Sequence, residues 1–404
     1  MMSVKRFVMS SGERFAILLD KNGHPLSYPN LYSVIYLRNI GQSINTIVAV
    51  LEDLKLLYQL VDKLDIDLEQ RVQNKEFLTL NEVEALVNLT SFQRKYLLNQ
   101  KTQKKILSFP DKARNEKIRA KFILTDDHVS KELVYRRITN FAEYIGWLEN
   151  YFHPHAQTKT KITLKARRPK KNGDVSNVYK SFDKKQLDQI LALVHPEQES
   201  PLWASKFHNY RNELIVFLLL YLGCRKGELL NIKLTDREEK NGNLYINIVR
   251  NRDDQTDIRL HQPLVKTRSR AIVINQKLRE KLESYVLYYR SEIPNAELTD
   301  FLIISDDGRP LSINGLDKVF SKISEKLRFN VHAHAFRHTW NDKYTDNVAK
   351  LIASGKMTES EAENHRAYLQ GWIIGSQSAR RYSKRSENLK AQRAGLDIQD
   401  SFEE

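Results

Sequence analysis

Cysteine is almost absent from this sequence of 404 residues, which contains Cys224 alone. A single cysteine cannot form an internal disulfide or a cysteine-rich zinc site, so neither can hold the fold together. We interpret Cys224 as a small buried apolar residue, the usual place of an isolated thiol. A metal site on His332, His334 and His338, which lie close together in the sequence, is also disfavoured, because no carboxylate lies among them at ligand spacing.

Long apolar segments are lacking as well. The longest apolar run, residues 214–224, is well short of the ~20 residues that a membrane-spanning helix needs. The N-terminal residues Met-Met-Ser-Val-Lys-Arg lead into a polar stretch without the apolar core and cleavage site of a secretory signal. We therefore expect a cytoplasmic protein without a membrane partner.

Positive charge, by contrast, is in excess. The chain has 65 lysines and arginines against 50 acidic residues, a formal net charge of +15. Such a surplus is typical of proteins that bind polyanions. Nucleic acid is the principal interpretation, and an anionic membrane surface is the alternative. With 41% hydrophobic residues, a chain of this length predicts two or three domains.

The N-terminal part predicts a β-rich lead followed by helices. Residues 14–19 form an apolar run with an Asn-Gly turn signal after it, so we assign residues 1–27 to a short β-rich lead. From the N-cap residue Ser43 onward, apolar residues recur at helical spacing. The pattern predicts an amphipathic helix that begins there.

A second helix is predicted over residues 130–152, with Arg137 projecting away from its apolar face. We assign residues 28–157 to a helical DNA-binding domain with an insertion near residues 72–125. The insertion contains the basic run 99–121, which suits a phosphate backbone and a solvated helix face equally well.

Residues 158–180 resemble a basic linker. Seven cations precede its first acidic residue: Lys159, Lys161, Lys165, Arg167, Arg168, Lys170 and Lys171. The segment has no apolar periodicity, which argues against its folding alone, so we interpret it as an interdomain linker. It suits a strap along DNA phosphates, and a plain flexible connection is the alternative.

Residues 181–388 predict a second domain that is also mainly helical. It contains a buried helix over residues 214–222, and an Asn-Gly turn signal precedes β segments at 244–249 and 270–274. The fold class is therefore mainly α with a small antiparallel β-sheet in this domain. For the C-terminal tail, residues 389–404, packing on a neighbouring protomer and a frayed terminus remain alternatives.

Four separated segments carry residues suited to phosphate chemistry. In the first, Arg225 follows a wholly apolar helix and faces the interior or a cleft, where a buried arginine needs a partner. If the helix continues, Glu228 shares its face and can hold it in place. A structural ion pair explains this segment as well as a phosphate-binding arginine does.

The second segment, residues 263–270, lies between two β segments. This arrangement predicts that Lys266 lies at the tip of a hairpin, where a lysine is either solvated or able to reach a cleft and donate a proton. In the third segment His334 and Arg337 share one helical face. The arginine can neutralise a nonbridging oxygen, and the imidazole can donate to the phosphate or accept a proton.

In the fourth segment, a Gly-Trp pair ending at Trp372 precedes Tyr382, which four basic residues flank. Together the segments resemble the active-site series of the tyrosine recombinase (phage integrase) family, read in chain order as Arg225, Lys266, His334-x-x-Arg337, Trp372 and Tyr382. The resemblance covers roughly residues 180–390. More loosely, the preceding helical domain is similar to the family's core-binding domain, so the resemblance implies that domain plus an α+β catalytic domain.

The resemblance also implies roles for the cationic residues. Arg225 and Arg337 would clamp the scissile phosphate, and Glu228 would support Arg225. Lys266 would protonate the leaving 5′ oxygen. Arginine cannot lose its proton whereas lysine can, which suits this division.

For the remaining positions, the resemblance implies that His334 assists the nucleophile and that Trp372 takes a place more often held by histidine. Tyr382 would be the nucleophile, although the spacing from Trp372 is one residue longer than usual in the family. The nearest competitor, Tyr368, precedes the Gly-Trp pair rather than following it.

The implied activity is site-specific recombination through a 3′-phosphotyrosine link and a Holliday junction, for integration, excision or transposition, without metal or cofactor. The implied partners are double-stranded DNA and a homotetramer on two DNA sites, with accessory DNA-bending or directionality proteins as further candidates. A type IB topoisomerase and a catalytically silent DNA-binding regulator are alternatives. A metal-dependent nuclease or phosphatase would need clustered carboxylates, which these motifs lack.

Overall fold

The computed structural model describes residues 2–94, 97, 128–170, 181–251, 253–374, 394–396, 398–400 and 402. The chain divides into two compact units. Unit 1 contains residues 1–10 and 14–175, and unit 2 contains residues 11–13 and 176–404. Among the described residues, no helix combines the length and the apolar character needed to cross a membrane.

Unit 1 combines a two-stranded hairpin with helices. In chain order its elements are β1 (Ser3–Val8), β2 (Arg14–Leu19), α1 (Ser27–Ser33), which continues as a π-helical turn (Val34–Arg38), α2 (Ile44–Lys63), α3 (Leu68–Gln73), α4 (Leu80–Thr90), α5 (Lys131–Phe152) and α6 (Thr160–Ala166). The strands pair antiparallel with Ser3 opposite Leu19, and the hairpin packs on α2. The predicted β-rich lead, apart from residues 11–13, is thus part of unit 1.

Both predicted helices of unit 1 are confirmed, and each begins at its expected serine. The Ser43 hydroxyl accepts a hydrogen bond from the Thr46 N–H at 3.3 Å, and Ser130 caps α5 in the same way through the Leu133 N–H at 3.3 Å. Arg137 of α5 corrects the prediction that it projects away from the core. It is buried and donates to the carbonyls of Thr90 and Phe92.

The N-terminal half of the predicted linker is folded, contrary to the expectation from its sequence. Residues Thr160–Ala166 form α6, which packs against α5 and α4 and buries Leu164 completely. Gly146 of α5 permits this close packing, since a Cβ there would lie 2.8 Å from the Lys161 side chain. The basic run 99–121 lies outside the described residues.

Unit 2 places helices around a three-stranded sheet. In chain order its elements are α7 (Lys184–Val194), α8 (Lys206–Leu222), α9 (Lys226–Leu229), a 3₁₀ turn (Leu234–Asp236), β3 (Arg237–Lys240), β4 (Asn243–Ile248), β5 (Arg270–Val273), α10 (Gln276–Ser284) with a π-helical extension (Tyr285–Arg290), a second 3₁₀ turn (Ala296–Leu298), α11 (Ile313–Leu327), α12 (Ala333–Ala353) and α13 (Glu359–Gln370). The predicted fold class, mainly α with a small antiparallel sheet, is confirmed.

The sheet of unit 2 is antiparallel in the order β3-β4-β5. Its first hairpin turns at Asn241 and Gly242, both with positive φ (50° and 75°), as a tight two-residue turn requires. The central helix α8 is enclosed, with residues 214–219 buried, and ends at Gly223 in the left-handed conformation. The predicted buried helix is confirmed.

The connection from β4 to β5 corrects the position predicted for Lys266. Residues 249–251 and 253–269 lie in a long irregular connection instead of a tight hairpin. A buried ion pair between Asp257 and Arg259 (2.8 Å) fixes the loop to the core, because Arg259 also donates to the carbonyls of Leu230 and Leu311. Lys266 therefore lies on the returning limb of the loop, close before β5, and not at a hairpin tip.

Candidate active site

Arg225 lies between two helices. Gly223 ends α8, and Arg225 adopts an extended conformation (φ −78°, ψ 156°) as the N-cap of α9. The helix thus does not continue to Glu228 as the sequence suggested. Glu228 is instead the third residue of α9, and its carboxylate accepts hydrogen bonds from the Arg225 backbone N–H (3.2 Å) and Nη1 (3.3 Å). The Arg225 side chain retains 29% of its exposure.

Glu228 is the centre of a buried polar network. Its side chain has no exposed surface, and it accepts from the Thr267 hydroxyl at 2.8 Å and from Arg270 Nη2 at 2.7 Å. Burial by itself raises the pKa of Glu228, but the guanidinium groups of Arg270 and Arg337 outweigh it and hold the pKa below its usual value. Glu228 is therefore an ionised carboxylate inside the protein.

Arg270 connects this carboxylate to two other segments. Its Nε donates to the Leu369 carbonyl (2.7 Å) at the end of α13, and its Nη1 donates to the Thr267 hydroxyl (3.2 Å). The side chain is only 1% exposed. Sequence reasoning missed Arg270, although an arginine opening the otherwise apolar strand Arg270–Val273 was a detectable signal.

Arg337 brings the third segment to the same place. It lies in the second turn of α12 and has no exposed surface. Its Nη1 donates to the Gly223 carbonyl (2.8 Å) and its Nη2 to the Gln370 carbonyl (3.1 Å). The guanidinium carbon lies 5.4 Å from the centre of the Trp372 ring. Arg337 thus contacts the chain directly before both Arg225 and Trp372.

The Gly371-Trp372 pair closes α13. The Gly371 N–H donates to the Tyr368 carbonyl (3.0 Å) and the Trp372 N–H to the Ala367 carbonyl (2.8 Å), a Schellman cap that requires the left-handed conformation of Gly371 (φ +63°). The Gly371 carbonyl in turn accepts from the Arg268 N–H (3.0 Å). Trp372 is consequently held in a buried position.

The remaining predicted residues lie at the surface of unit 2 or outside the described part of the chain. Lys266 is exposed and is flanked by the buried Val265 and Thr267. His334 is also exposed, with its ring 4.6 Å from that of His338. Tyr382 lies outside the described residues, so its position relative to the arginines stays a prediction.

Two other residues discussed from the sequence can be placed. Tyr368 is 58% exposed, and its hydroxyl donates to the Ala271 carbonyl at 3.4 Å. Cys224 is fully buried, and burial raises the pKa of its thiol to about 12, so it stays protonated at neutral pH. The interpretation of Cys224 as a buried apolar residue is confirmed.

Several cations of the predicted linker already have partners within unit 1. Glu143 binds Lys161 (2.7 Å) and Lys165 (2.5 Å), and Arg167 pairs with Glu84 (2.7 Å). The Arg168 guanidinium lies 4.7 Å from the centre of the Tyr135 ring. These contacts explain why a segment without apolar periodicity is nevertheless folded.

The other three linker cations are Lys159, Lys170 and Lys171. Lys159 and Lys170 are exposed, and Lys171 lies outside the described residues. In the part of the chain that the structure describes, no group of three or more His, Cys, Asp or Glu side chains could hold a metal ion.

Parts of the chain are similar to a known protein family and to known proteins. The model of the Phage integrase family matches residues 180–353, a range that includes Arg225, Lys266, His334 and Arg337 and ends before Trp372. Transposase A from transposon Tn554 of Staphylococcus aureus is 24% identical over 336 residues, covering 80% of this chain and 81% of that protein. Tyrosine recombinase XerC of Lactobacillus leichmannii is 27% identical over 144 residues, covering 35% of this chain and 43% of that protein.

Two solved structures are also similar. Lambda integrase residues 75–356 bound to DNA matches with 15% identity and a TM-score of 0.47, covering 88% of this chain and 95% of that chain. The XerH site-specific recombinase bound to a palindromic difH substrate, a post-cleavage complex, matches with 18% identity and a TM-score of 0.43, covering 66% of this chain and 72% of that chain.

Proposed function

We propose that this chain, a member of the tyrosine recombinase (phage integrase) family, cleaves and rejoins DNA strands through a covalent 3′-phosphotyrosine link at Tyr382. The observation that supports the proposal most is the arrangement around Glu228. Arg225 binds this carboxylate, and the charge of the nearby Arg337 acts on it. Two arginines from distant parts of the chain therefore flank one buried acid, next to Trp372.

The proposed reaction is a transesterification. The Tyr382 phenol gives its proton to His334 and its oxygen attacks the scissile phosphorus. The bond to the 5′ oxygen breaks, and that oxygen takes up a proton from Lys266 and leaves as a hydroxyl. Negative charge builds on the nonbridging oxygens during attack, so preorganised cationic donors stabilise the transition state. The phosphotyrosine conserves the bond energy, and a free 5′ hydroxyl of another strand can reverse the attack.

Arg225 and Arg337 are the proposed phosphate ligands, with different accessibility. Glu228 holds one edge of the partly exposed Arg225, so a phosphate can approach the rest of its guanidinium. Arg337 has no exposed surface, so a phosphate reaches it only when the surrounding groups move. We include this rearrangement on DNA binding in the proposal.

The remaining roles follow from side-chain chemistry. We assign to Lys266 the protonation of the leaving 5′ oxygen, because an exposed lysine on a loop can reach the scissile bond and release a proton. His334 assists the nucleophile from the exposed start of α12. Trp372 packs beside Arg337 as an indole donor in the site.

In the cell we propose that the protein moves a mobile element. A relative that matches 80% of this chain is named Transposase A, which supports this assignment over chromosome maintenance. The proposed partner is double-stranded DNA, bound by a homotetramer across two sites in the cytoplasm at the nucleoid. Lys159 and Lys170, which are exposed, are the linker cations proposed to contact phosphates.

The test is a covalent-adduct assay. Purified protein is incubated with labelled duplex fragments that tile the DNA on both sides of its own gene, and denaturing gels detect DNA bound to protein. We expect an adduct with the wild type, none with Tyr382→Phe, and an adduct with the matched control Tyr368→Phe. Adduct formation by Tyr382→Phe would remove the proposed nucleophile.

Strand exchange is tested separately on fragments that form the adduct. We expect two such fragments to yield a Holliday junction and recombinant products. Relaxation of a supercoiled plasmid without junctions would instead favour a type IB topoisomerase, and DNA binding without any adduct would favour a catalytically silent regulator.

A further inference from the structure

We propose that Arg270 is a positioning residue that fixes the proton donor Lys266, and with it the Trp372 segment, relative to Arg225. This inference rests on the proposed function, since it assumes that Lys266 protonates the leaving oxygen. Arg270 itself is enclosed and is not assigned a contact with DNA.

The first step of the argument concerns the residue next to Lys266. The Thr267 hydroxyl donates to one Glu228 oxygen at 2.8 Å and accepts from Arg270 Nη1 at 3.2 Å. Arg270 Nη2 binds the other Glu228 oxygen at 2.7 Å. Thr267 is thereby fixed on two sides and is only 4% exposed. Lys266 is thus an exposed side chain whose backbone is attached to an immobile neighbour.

The second step concerns the other end of Arg270. Its Nε donates to the Leu369 carbonyl at 2.7 Å, in the last turn before the Gly371-Trp372 pair. The Arg268 N–H binds the Gly371 carbonyl at 3.0 Å, so the same loop is held to α13 twice. A Cβ at Gly371 would lie 2.7 Å from Arg270 Nη1, which shows how closely the two segments approach.

Only an arginine fits these contacts. A guanidinium is a planar fork with several donors in fixed directions, so it can bind Glu228, Thr267 and Leu369 simultaneously. A lysine at this position would keep the charge near Glu228 but lose the fixed geometry. The structure thus predicts that Arg270→Lys perturbs the position of Lys266 more than it perturbs the ion pair.

The test uses the chemistry of the leaving group. A duplex carrying the mapped cleavage site is prepared with the bridging 5′ oxygen or with sulfur in its place. A thiolate leaves without taking up a proton, so loss of a proton donor matters for the oxygen substrate and not for the sulfur substrate. A general loss of folding lowers both rates equally. The full-length protein is used, and single-turnover cleavage is measured on both substrates.

We expect Lys266→Ala to lower the cleavage rate of the oxygen substrate roughly 10²–10⁴-fold and to cleave the sulfur substrate at nearly the wild-type rate. Arg270→Lys should lower the cleavage rate of the oxygen substrate on the order of 10²-fold, because a small misplacement of a catalytic group has an effect of this size. It should also cleave the sulfur substrate at nearly the wild-type rate. Thr267→Val keeps both partners of the Glu228–Arg270 ion pair and replaces the Thr267 hydroxyl by a methyl group, so the same pattern is expected with a smaller loss of the cleavage rate.

Arg290→Lys is the matched control. Arg290 is likewise a buried arginine of unit 2, but its donors bind only backbone carbonyls, those of Ala296, Thr299 and Phe301. Any loss in this variant should be equal on the two substrates. It therefore measures what disturbing a buried arginine does by itself.

The outcomes separate the inference from the proposed function. If Lys266→Ala is not rescued by sulfur, the assignment of Lys266 as proton donor is wrong. If Lys266→Ala is rescued and Arg270→Lys loses equally on both substrates, Arg270 has only a structural role and the inference is wrong. If Arg270→Lys does not fold, Thr267→Val decides: rescue by sulfur supports the inference, and wild-type cleavage of oxygen, or an unrescued loss, overturns it.

Discussion

Two glutamates, one in each unit, are equally buried, but their pKa values are shifted in opposite directions. Glu228 of unit 2 and Glu149 of unit 1 are both about 1% exposed or less. Burial raises the pKa of Glu149, and the Thr158 and Thr160 side chains only partly offset it. For Glu228 the same desolvation is outweighed by Arg270 and Arg337, and its pKa is lowered.

The difference shows how a buried carboxylate can orient the cations around it. A buried carboxyl group without cations around it has a raised pKa and needs hydrogen-bond partners but no opposite charge. A carboxylate kept ionised must be surrounded by cations, and these cations can then be oriented by it. In unit 2, Glu228 holds Arg225 and Arg270 in this way, and Arg225 keeps exposed surface for a further anion.

The largest expected effect comes from removing the charge of Glu228. Glu228→Gln leaves Arg270 buried beside a neutral amide, and losing one partner of a buried pair costs about 3–5 kcal/mol in the free energy of unfolding. Urea denaturation at pH 7 measures it. A loss below about 1 kcal/mol, which is typical of exposed pairs, would contradict the view that Glu228 is an ionised anchor.

A smaller loss of stability is expected from adding a methyl group at Gly371, which lies close to the Glu228 network. Gly371→Ala combines the left-handed backbone with a contact of 2.7 Å to Arg270 and Thr267, so we expect a loss of about 2–4 kcal/mol. Gly355 is the matched control, because it has φ +70° with nothing within 4 Å of an added Cβ. Gly355→Ala should lower the free energy of unfolding by about 1 kcal/mol, the cost of the left-handed backbone conformation alone.

Thermal or urea unfolding of both glycine variants measures the difference. Equal losses would show that only backbone conformation matters at Gly371 and that the contact with Arg270 is compliant.

The smallest effect is expected at Glu149. Glu149→Gln replaces a carboxyl group whose ionisation opposes burial, so we expect a change within about 1 kcal/mol at pH 7, neutral or stabilising. A loss comparable with that of Glu228→Gln would remove the contrast between the two acids.

The two glutamates are also expected to make the free energy of unfolding depend on pH in opposite directions. The pKa of Glu149 is raised on folding, so its contribution is fully present below the unfolded value of about 4.3 and is lost as the pH rises through the folded pKa. The pKa of Glu228 is lowered, so its contribution is present above about 4.3 and is lost as the pH falls through the folded pKa. Urea midpoints against pH, relative to each glutamine variant, measure both signs.

Much of the local structure could be predicted from the sequence because its signals are local. Ser43 and Ser130 mark the starts of α2 and α5, and Asn241-Gly242 marks the first hairpin of the sheet. The order of the predicted site residues along the chain gave the resemblance to a family, because the residue types that phosphate chemistry needs are few.

Long-range contacts could not be predicted in the same way. The position of Arg270 depends on its contacts with Glu228 and with the carbonyl of Leu369. The residues next to Arg270 in the sequence do not indicate these contacts. The helix α6 was missed because only two of its side chains, Thr160 and Leu164, are buried, too few for a visible period. Its stability depends on ion pairs with residues of other helices.

The position of α6 has a practical consequence for producing the helical unit as a separate fragment. A fragment that stops at residue 157 would leave the site of Leu164 on α5 open to water and strip Glu143 of both its lysine partners. Ending the fragment at residue 170 instead retains a complete apolar surface. We expect the shorter version to aggregate during recombinant expression and the longer one to be recovered as a monomer.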